Sequence, residues 1–181
     1  VRRLAPPVPF APGRQILYRG AWVDLVPGAG GAPLLEGAAL QVPGEPVRFD
    51  AAVRRWLRAE ARRLLAAPAR DLAQTIGRTD VVIRVADPRA RWGSCSSAGR
   101  IMLSWRAVLA PDFVREALIA HEVAHLVELN HGPRFWTLAE RLLGASHEPS
   151  RRWLRAHGPL LHAHGIHNAA PVAMSYREEM L

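Results

Sequence analysis

Apolar and polar residues alternate over the first part of the chain, with the two-residue period of a β-strand. The alternation predicts one strand over residues 15–26, with Tyr18 and Trp22 as its apolar anchors, and a second strand over residues 33–42. Glycines between the two segments indicate a turn. We therefore expect a small antiparallel sheet, built on a β-hairpin, over residues 15–45.

A helical period replaces the alternation in the next segment. We expect Asp50 to cap an amphipathic helix, which Pro68 kinks or restarts and Gly77 ends. Arginines cover its exposed face, and its apolar face consists of Val53, Trp56, Leu57, Ala61, Leu64 and Leu65. Short apolar runs then predict strands over residues 81–85 and 101–105.

Three further helices are predicted in the second half of the chain. Apolar residues surround the helix at residues 111–127 on nearly every side, which is typical of a buried helix. Helices over residues 135–143 and 149–157 follow. A proline-rich arm is expected at residues 1–14 and a peripheral tail at residues 165–181. The pattern as a whole favours an α+β fold in which a small antiparallel or mixed sheet packs on helices.

The buried helix contains two histidines and a glutamate at a distinctive spacing. His121 and His125 are four residues apart, so they lie on the same face of the helix, one turn apart. Their imidazoles can converge on one metal ion, and Glu122 can act as the general base on a metal-bound water. Ionisable groups inside an apolar helix are costly unless they are paired or bound to a metal. The pattern therefore predicts a catalytic metal site.

The expected third ligand is His131, because a catalytic zinc ion usually has three protein ligands and one open position. On a straight helix His131 would lie about 15 Å along the axis from His121. Residues 130–133 (NHGP) end the helix, since Asn and Gly tolerate left-handed backbone and Pro cannot continue the run. The chain can thus turn and bring His131 back to the metal. Glu140 and Glu148 are rival third ligands that the pattern favours less.

Glu128 and the histidines near the C-terminus carry weaker signals. Glu128 lies on nearly the same helix face as His121, two turns away. Its carboxylate can hydrogen-bond to His125 or His131, or it can face solvent. The C-terminal histidines are expected at the surface, because no scaffold for a second metal site is evident; they are His157, His162, His164 and His167.

A short segment between the two central strands, residues 91–96 (RWGSCS), carries candidate substrate contacts. Gly93 would let a substrate backbone approach closely, or it marks a strand bulge. Ser94 and Ser96 can donate hydrogen bonds to a substrate or cap a turn. Trp92 is expected in the core. Cys95 is expected to be a small buried residue, with a masking zinc thiolate as the less favoured alternative.

Two arginines lie in or next to the same segment. Arg91 and Arg89 can stabilise a developing oxyanion, or bind a phosphate or a terminal carboxylate. A structural ion pair is the alternative for each of them. The sequence does not choose between these roles.

The composition is that of an ordinary globular protein, with 181 residues, of which 49% are hydrophobic and 22% charged. No apolar run is long enough to cross a membrane, and prolines near the N-terminus argue against a signal peptide. The single cysteine excludes an internal disulfide, so we expect a cytoplasmic protein.

The net charge of +8 raises the question of nucleic-acid binding. All 24 basic residues are arginine, and they are spread along the chain. This composition reflects the bias of a GC-rich genome better than a DNA-binding surface. Short arginine clusters at residues 54–58, 62–63 and 151–155 are expected to be solvated helix faces, so the sequence argues against a nucleic-acid partner.

Several motifs taken together closely resemble the YgjP-like metal-dependent hydrolases, which are zincin-like proteins related to the SprT-like metallopeptidases. The resemblance spans residues 15–158, and the motifs that carry it are residues 91–96, 101–106, Pro111, 121–125, Asn130-His131, Phe135-Trp136 and Trp153-Leu154. The departures are small. Val123 stands where the family tends to have Leu or Ile, and Gly132 stands where it tends to have Ser.

The resemblance implies a zincin-like fold with a buried HExxH helix, in one domain over residues 15–164 whose metal-site half spans residues 79–164. It implies one Zn²⁺ per chain, with another divalent metal as the alternative, and residues 91–95 as a strand or loop beside the metal cleft. The implied ligands are His121, His125 and His131, and the implied base is Glu122.

We therefore expect a zinc-dependent hydrolase, most simply a metallopeptidase, acting on a peptide or small-molecule substrate. An edge strand near residues 100–105 would pair with an extended peptide. One alternative is hydrolysis of a nucleotide phosphoanhydride, with Arg89 and Arg91 holding the phosphates, although no Walker-type loop supports it. Others are a SprT-like protein associated with nucleic acid, against which the missing Cys-rich ribbon counts, and a metal-binding module without turnover. The oligomeric state stays open.

Overall fold

The computed structural model describes residues 4–88 and 91–166, together with the backbone of residues 172–173. Within these residues the chain is α+β, with three sheets and five α-helices. The strands are β1 (Leu4–Ala5), β2 (Gln15–Tyr18), β3 (Ala21–Gly28), β4 (Leu34–Glu36), β5 (Ala39–Pro43), β6 (Val82–Ala86), β7 (Gly93–Cys95), β8 (Arg100–Ser104) and β9 (Val172–Ala173). The helices are α1 (Pro46–Ala61), α2 (Ala67–Thr75), α3 (Asp112–Ala124), α4 (Pro133–Leu143) and α5 (Glu148–Ala163).

Each of the two predicted N-terminal strands is in fact a pair of strands. The segment at residues 15–26 reverses at Arg19 and Gly20, whose φ angles of 52° and 81° form a tight hairpin turn. The segment at residues 33–42 turns at Gly37, with a φ of 56°. The alternation of residues predicted extended chain correctly, but it could not show where the chain reverses.

The resulting sheet has the strand order β2-β3-β5-β4 and is mixed, so the mixed alternative is confirmed and a purely antiparallel sheet is wrong. β5 runs parallel to β3, because the short strand β4 first turns back antiparallel to β5. Trp22 is 48% exposed and does not anchor the sheet. The buried residues of the sheet are Ile16, Leu17, Tyr18, Val23, Leu25, Leu40 and Val42.

Helix α1 begins five residues earlier than predicted. Its cap is Glu45 and Pro46 occupies the first turn, so Asp50 lies inside the helix, where it pairs with Arg54. The predicted apolar face is confirmed, since it is buried or packed against the core. A π-helical turn at Arg62–Ala66 joins α1 to α2. Pro68, which cannot donate a backbone hydrogen bond, explains this local widening.

The second sheet has the strand order β6-β8-β7, with β6 parallel and β7 antiparallel to β8. Trp105 lies in the 3₁₀-helix Trp105–Leu109 that follows β8, not in the strand as predicted, and it is 2% exposed. Trp92, just before β7, is 1% exposed, which confirms its predicted core position. β7 has only one strand neighbour among the described residues, so it is one of the two edge strands of this sheet, and it lies beside α3.

The end of the described chain packs on its beginning. α5 continues through Pro159 to Ala163, six residues beyond the predicted end. The proline-rich arm is extended, but it is not free of the core, because Phe10 is 1% exposed. β1 pairs with β9, so two residues of the predicted tail contact the arm, while residues 167–171 and 174–181 lie outside the described part. No helix among the described residues is long and apolar enough to span a membrane.

Candidate metal centre

Helix α3 carries the first two histidines of the motif and ends sooner than predicted. The backbone N–H groups of Leu126 and Val127 bond to the carbonyls of Val123 and Ala124, three residues back, at 3.0 Å. This tightening of the last turn is characteristic of helix ends. The regular helix therefore ends at Ala124, ahead of residues 130–133.

His131 returns to the helix through the loop that precedes α4. The Nε2 atoms of His121 and His125 lie 3.2 Å apart, and the Nε2 atom of His131 lies 3.1 Å from each of them. Two nitrogen ligands of a tetrahedral zinc ion lie about 3.3 Å apart, given a Zn–N bond of about 2.05 Å. The three nitrogen atoms are thus spaced as ligands of a single tetrahedral ion.

The protonation of these rings fits the same interpretation. Burial, followed by the neighbouring histidines, lowers the pKa of His121 to about 2, and burial lowers the pKa of His125. Nδ1 of His125 lies 3.0 Å from the carbonyl oxygen of Glu128, so Nδ1 carries the proton and Nε2 keeps its lone pair. Lone pairs directed at one another repel, and a shared cation removes that repulsion. The triad therefore fits a metal ion.

Glu128 supports His125 with its main-chain carbonyl, a contact that neither alternative from the sequence, a carboxylate bond or a solvent-facing side chain, included. Phe135 closes the centre from the side of α4, with its ring 4.4–4.8 Å from each of the three imidazoles. His147, which the sequence did not single out, is 3% exposed and donates from Nε2 to the carbonyl of Ala117. His147 is the residue that precedes α5, and nothing in the sequence around it indicates that it is buried.

Glu122 lies on the other side of the triad, at β7. Its side chain is 3% exposed, and Oε2 is buried with no hydrogen-bond partner among the described residues. Burial raises the pKa of Glu122 to about 8, and the charge of Arg91 opposes that rise. A cation at the triad would oppose it further, because an adjacent positive charge favours the carboxylate. The free oxygen and the poised pKa suit a group that accepts a proton from a water.

The triad and Glu122 open into a cleft of about 210 Å³. The cleft is lined by Arg91, Gly93, Ser94, Cys95, His121, Glu122, His125, Leu129 and His131. The structure thus brings the three predicted substrate contacts, Arg91, Gly93 and Ser94, to the same cleft as the histidines. Leu129 is an additional lining residue, 56% exposed, that the sequence pattern did not indicate.

Other predicted candidates do not join this cluster. Cys95 lines the cleft, but it is not in the group of side chains that could share an ion, and burial raises the pKa of its thiol to about 11. Glu140 and Glu148 are exposed, and Glu148 pairs with Arg155 on α5. Arg89 lies outside the described residues.

The expectation of surface histidines at the C-terminal end is wrong for two of them. His162 is 3% exposed and packs on the ring of Trp92, with 4.4 Å between ring centroids. His164 is fully buried, and its Nε2 accepts the backbone N–H of Leu17 at 3.0 Å. The continuation of α5 past Pro159 carries both into the core. His157 is exposed as expected, and His167 lies outside the described residues.

Comparison with protein families gives one match. The model of the YgjP-like metallopeptidase domain matches residues 2–157 of the 181-residue chain. The match includes every residue of the cleft. No curated protein and no solved structure gives a significant match.

Proposed function

The chain belongs to the YgjP-like metallopeptidase family, and we propose that it is a zinc-dependent peptidase whose general base is Glu122. The observation that carries the proposal is the triad of Nε2 atoms, 3.1–3.2 Å apart, beside a buried carboxylate with an unpartnered oxygen. A zincin-like arrangement of the HExxH helix accounts for both features.

Zinc is the metal we propose for the triad. Three imidazole nitrogens leave one position of a tetrahedral ion open, which is the usual arrangement in catalytic zinc sites. His121, His125 and His131 would hold the ion. Imidazole also suits other transition metals, so the metal content of the purified protein is part of the proposal's test.

The bound ion would supply a Lewis acid that polarises the substrate carbonyl and acidifies a water. Glu122 would take the proton from the attacking water on its free Oε2 and later transfer it to the leaving amine. Burial on α3 holds the carboxylate in place, and Arg91 at the cleft wall favours its ionised form.

The substrate we propose is an extended peptide that pairs with β7. The sequence suggested residues 100–105 as the receiving edge, but β8 is the central strand of its sheet and has no free edge. On either side of β7, the carbonyl of Trp92 accepts from Ser104 and the N–H of Ser96 donates to Arg100 on β8. The main-chain groups of Gly93 and Cys95 therefore point away from β8. A peptide added there would lie across the cleft.

The phosphoanhydride alternative is the weaker of the two. Arg91 is the only arginine among the described residues that line the cleft. Glu122 and Cys95 place a carboxylate and a neutral thiol on the same walls, which gives a polyphosphate little to bind. An extended peptide needs only main-chain partners, and β7 offers them.

The decisive experiment compares Glu122→Gln with Glu116→Gln, a matched change at an exposed glutamate of the same helix. Both variants and the wild type are assayed on a library of unstructured peptides, and their zinc content is measured. We expect Glu122→Gln to retain about one zinc ion per chain and to lose at least about 100-fold in peptide cleavage. Glu116→Gln should match the wild type. Undiminished cleavage by Glu122→Gln would refute the assignment of the base.

A nucleotide panel run beside the peptides separates the two substrate classes. Cleavage of nucleotides but not peptides, lost with chelator and in Glu122→Gln, would keep the site and replace the substrate. Zinc binding without turnover on either panel would reduce the protein to a metal-binding module.

A further inference from the structure

Gly93 leaves less room for a side chain than turn glycines such as Gly20 and Gly165. A Cβ atom built on it would lie 2.2 Å from Oε1, 2.6 Å from Cδ and 2.7 Å from Cγ of Glu122. Ordinary contacts of a Cβ atom begin at about 3.4 Å. Any side chain at this position would therefore occupy the space in which the Glu122 carboxylate now lies.

The backbone conformation does not explain the glycine. Gly93 has no left-handed φ, in contrast to turn glycines such as Gly20 and Gly99. It lies in a regular strand, where glycine normally weakens the structure. The need at this position is for space, and the three atoms nearest to the built Cβ all belong to the Glu122 side chain.

Glu122 has little room to give way. Its side chain is 3% exposed, and the helix beneath it is fixed by its fully buried neighbours Val123 and Ala124. The atoms closest to Gly93 include Cγ and Cδ, so rotating the carboxylate alone cannot relieve the contact. The group can move only by leaving its place between β7 and the triad.

We propose that Gly93 is a positioning residue, which lets the Glu122 carboxylate lie directly against β7 and so fixes the base at contact distance from the strand that carries the substrate. The proposal rests on the proposed function. The sequence suggested that Gly93 makes room for the substrate. In the structure the residue that needs the room is the base itself.

A positioning role and a substrate contact predict different kinetics for Gly93→Ala, since the first lowers kcat and the second raises KM. The added methyl group displaces the carboxylate by about 1 Å, and a misplacement of that size can cost about 100-fold in turnover. We therefore expect kcat to fall by about 100-fold, while KM changes less than threefold and zinc affinity stays the same. Gly31→Ala is the matched control, because its Cβ meets nothing within 4 Å and its φ is ordinary.

A double-mutant cycle tests whether the effect passes through Glu122. Gly93→Ala should reduce the residual activity of Glu122→Gln by less than threefold, because a displaced base costs nothing once its function is gone. A rise in KM with unchanged kcat would overturn the proposal in favour of a substrate contact. Full activity of Glu122→Gln would instead refute the assignment of the base, so the two failures are distinct.

A stability measurement keeps the proposal testable if Gly93→Ala folds poorly. Glu122→Ala removes the three atoms that lie nearest to the new Cβ. We expect Gly93→Ala to lower Tm by about 5 °C in the wild-type background and by less than about 1 °C in the Glu122→Ala background. An equal loss in both backgrounds would show that the glycine serves some other contact, and the proposal would be wrong.

Discussion

Lowering the pH from 7 to 5 is expected to reduce the free energy of unfolding because of His164, which lies at the end of α5 and is not part of the candidate metal centre. This imidazole is fully buried between the end of α5 and strand β2. Nδ1 lies 2.8 Å from the carbonyl oxygen of Leu160, and Nε2 accepts the N–H of Leu17. The ring is thus held as the neutral Nδ1–H tautomer, since a proton on Nε2 would face another donor.

The size of the effect follows from the pKa of this group. Burial lowers the pKa of His164 from the ordinary 6.5 to about 4; the hydrogen bond to Leu160 opposes the shift and the charge of Arg106 adds to it. In the unfolded chain the imidazole takes up a proton below about pH 6.5, whereas in the folded protein it stays neutral. Stability therefore falls as the pH drops from about 6.5 to about 4. Each pH unit in that window costs about 1.4 kcal/mol, which gives about 2 kcal/mol by pH 5.

The assay is urea unfolding at pH 7 and pH 5, with chelator present so that metal release does not contribute. His164→Gln can keep an acceptor for Leu17 but cannot titrate, so its loss of stability between the two pH values should be about 2 kcal/mol smaller than that of the wild type. His157→Gln, a matched change at an exposed histidine of the same helix, should behave as the wild type.

Equal pH-dependent losses in the wild type and His164→Gln would refute this reasoning. They would mean that His164 is protonated in the folded protein, or that the ring becomes exposed to solvent with little loss of folding free energy. The comparison between variants cancels the contributions of the other buried histidines, His121, His147 and His162, which both proteins share.

Two further predictions concern the metal and the substrate. His131→Ala should weaken zinc binding by at least about 100-fold in a chelator competition, since one of the three proposed ligands is lost. The far-UV circular dichroism should not change, because His131 lies in the loop before α4 and not in the hydrophobic core. Wild-type affinity would exclude His131 as a ligand. Peptides N-methylated at the residue that pairs with Gly93 or Cys95 should show a KM about tenfold higher than the unmodified peptide, and equal values would argue against pairing with β7.

The candidate ligands could be found from the sequence because helical periodicity is local. The spacing of His121 and His125 places them on one face whatever the rest of the chain does, and residues 130–133 gave a physical reason for a return of the chain. The chain does bring His131 back to the other two histidines, as predicted, but the helix ends earlier than predicted, at Ala124. Helix ends depend on individual hydrogen bonds, which periodicity does not encode.

Strand pairing could not be predicted in the same way. Alternation in residues 15–45 indicated extended chain, but the parallel alignment of β3 and β5 joins residues that are about fifteen positions apart. The edge of the second sheet was also misplaced, because the order β6-β8-β7 is a property of the packed sheet. A strand's own residues do not reveal which of its sides remains free.

The sequence by itself determined the chemistry that this protein can offer: three imidazoles, one carboxylate and the helix that spaces two of the proposed ligands. Only the tertiary structure decided how that chemistry is arranged. It brought β7 against α3, and that contact explains why a glycine stands at position 93, which no local sequence pattern indicates. It also buried His162 and His164, which the sequence suggested were at the surface. The physical reason is that spacing along one helix is fixed by backbone geometry, whereas burial and close approach depend on residues distant in the chain.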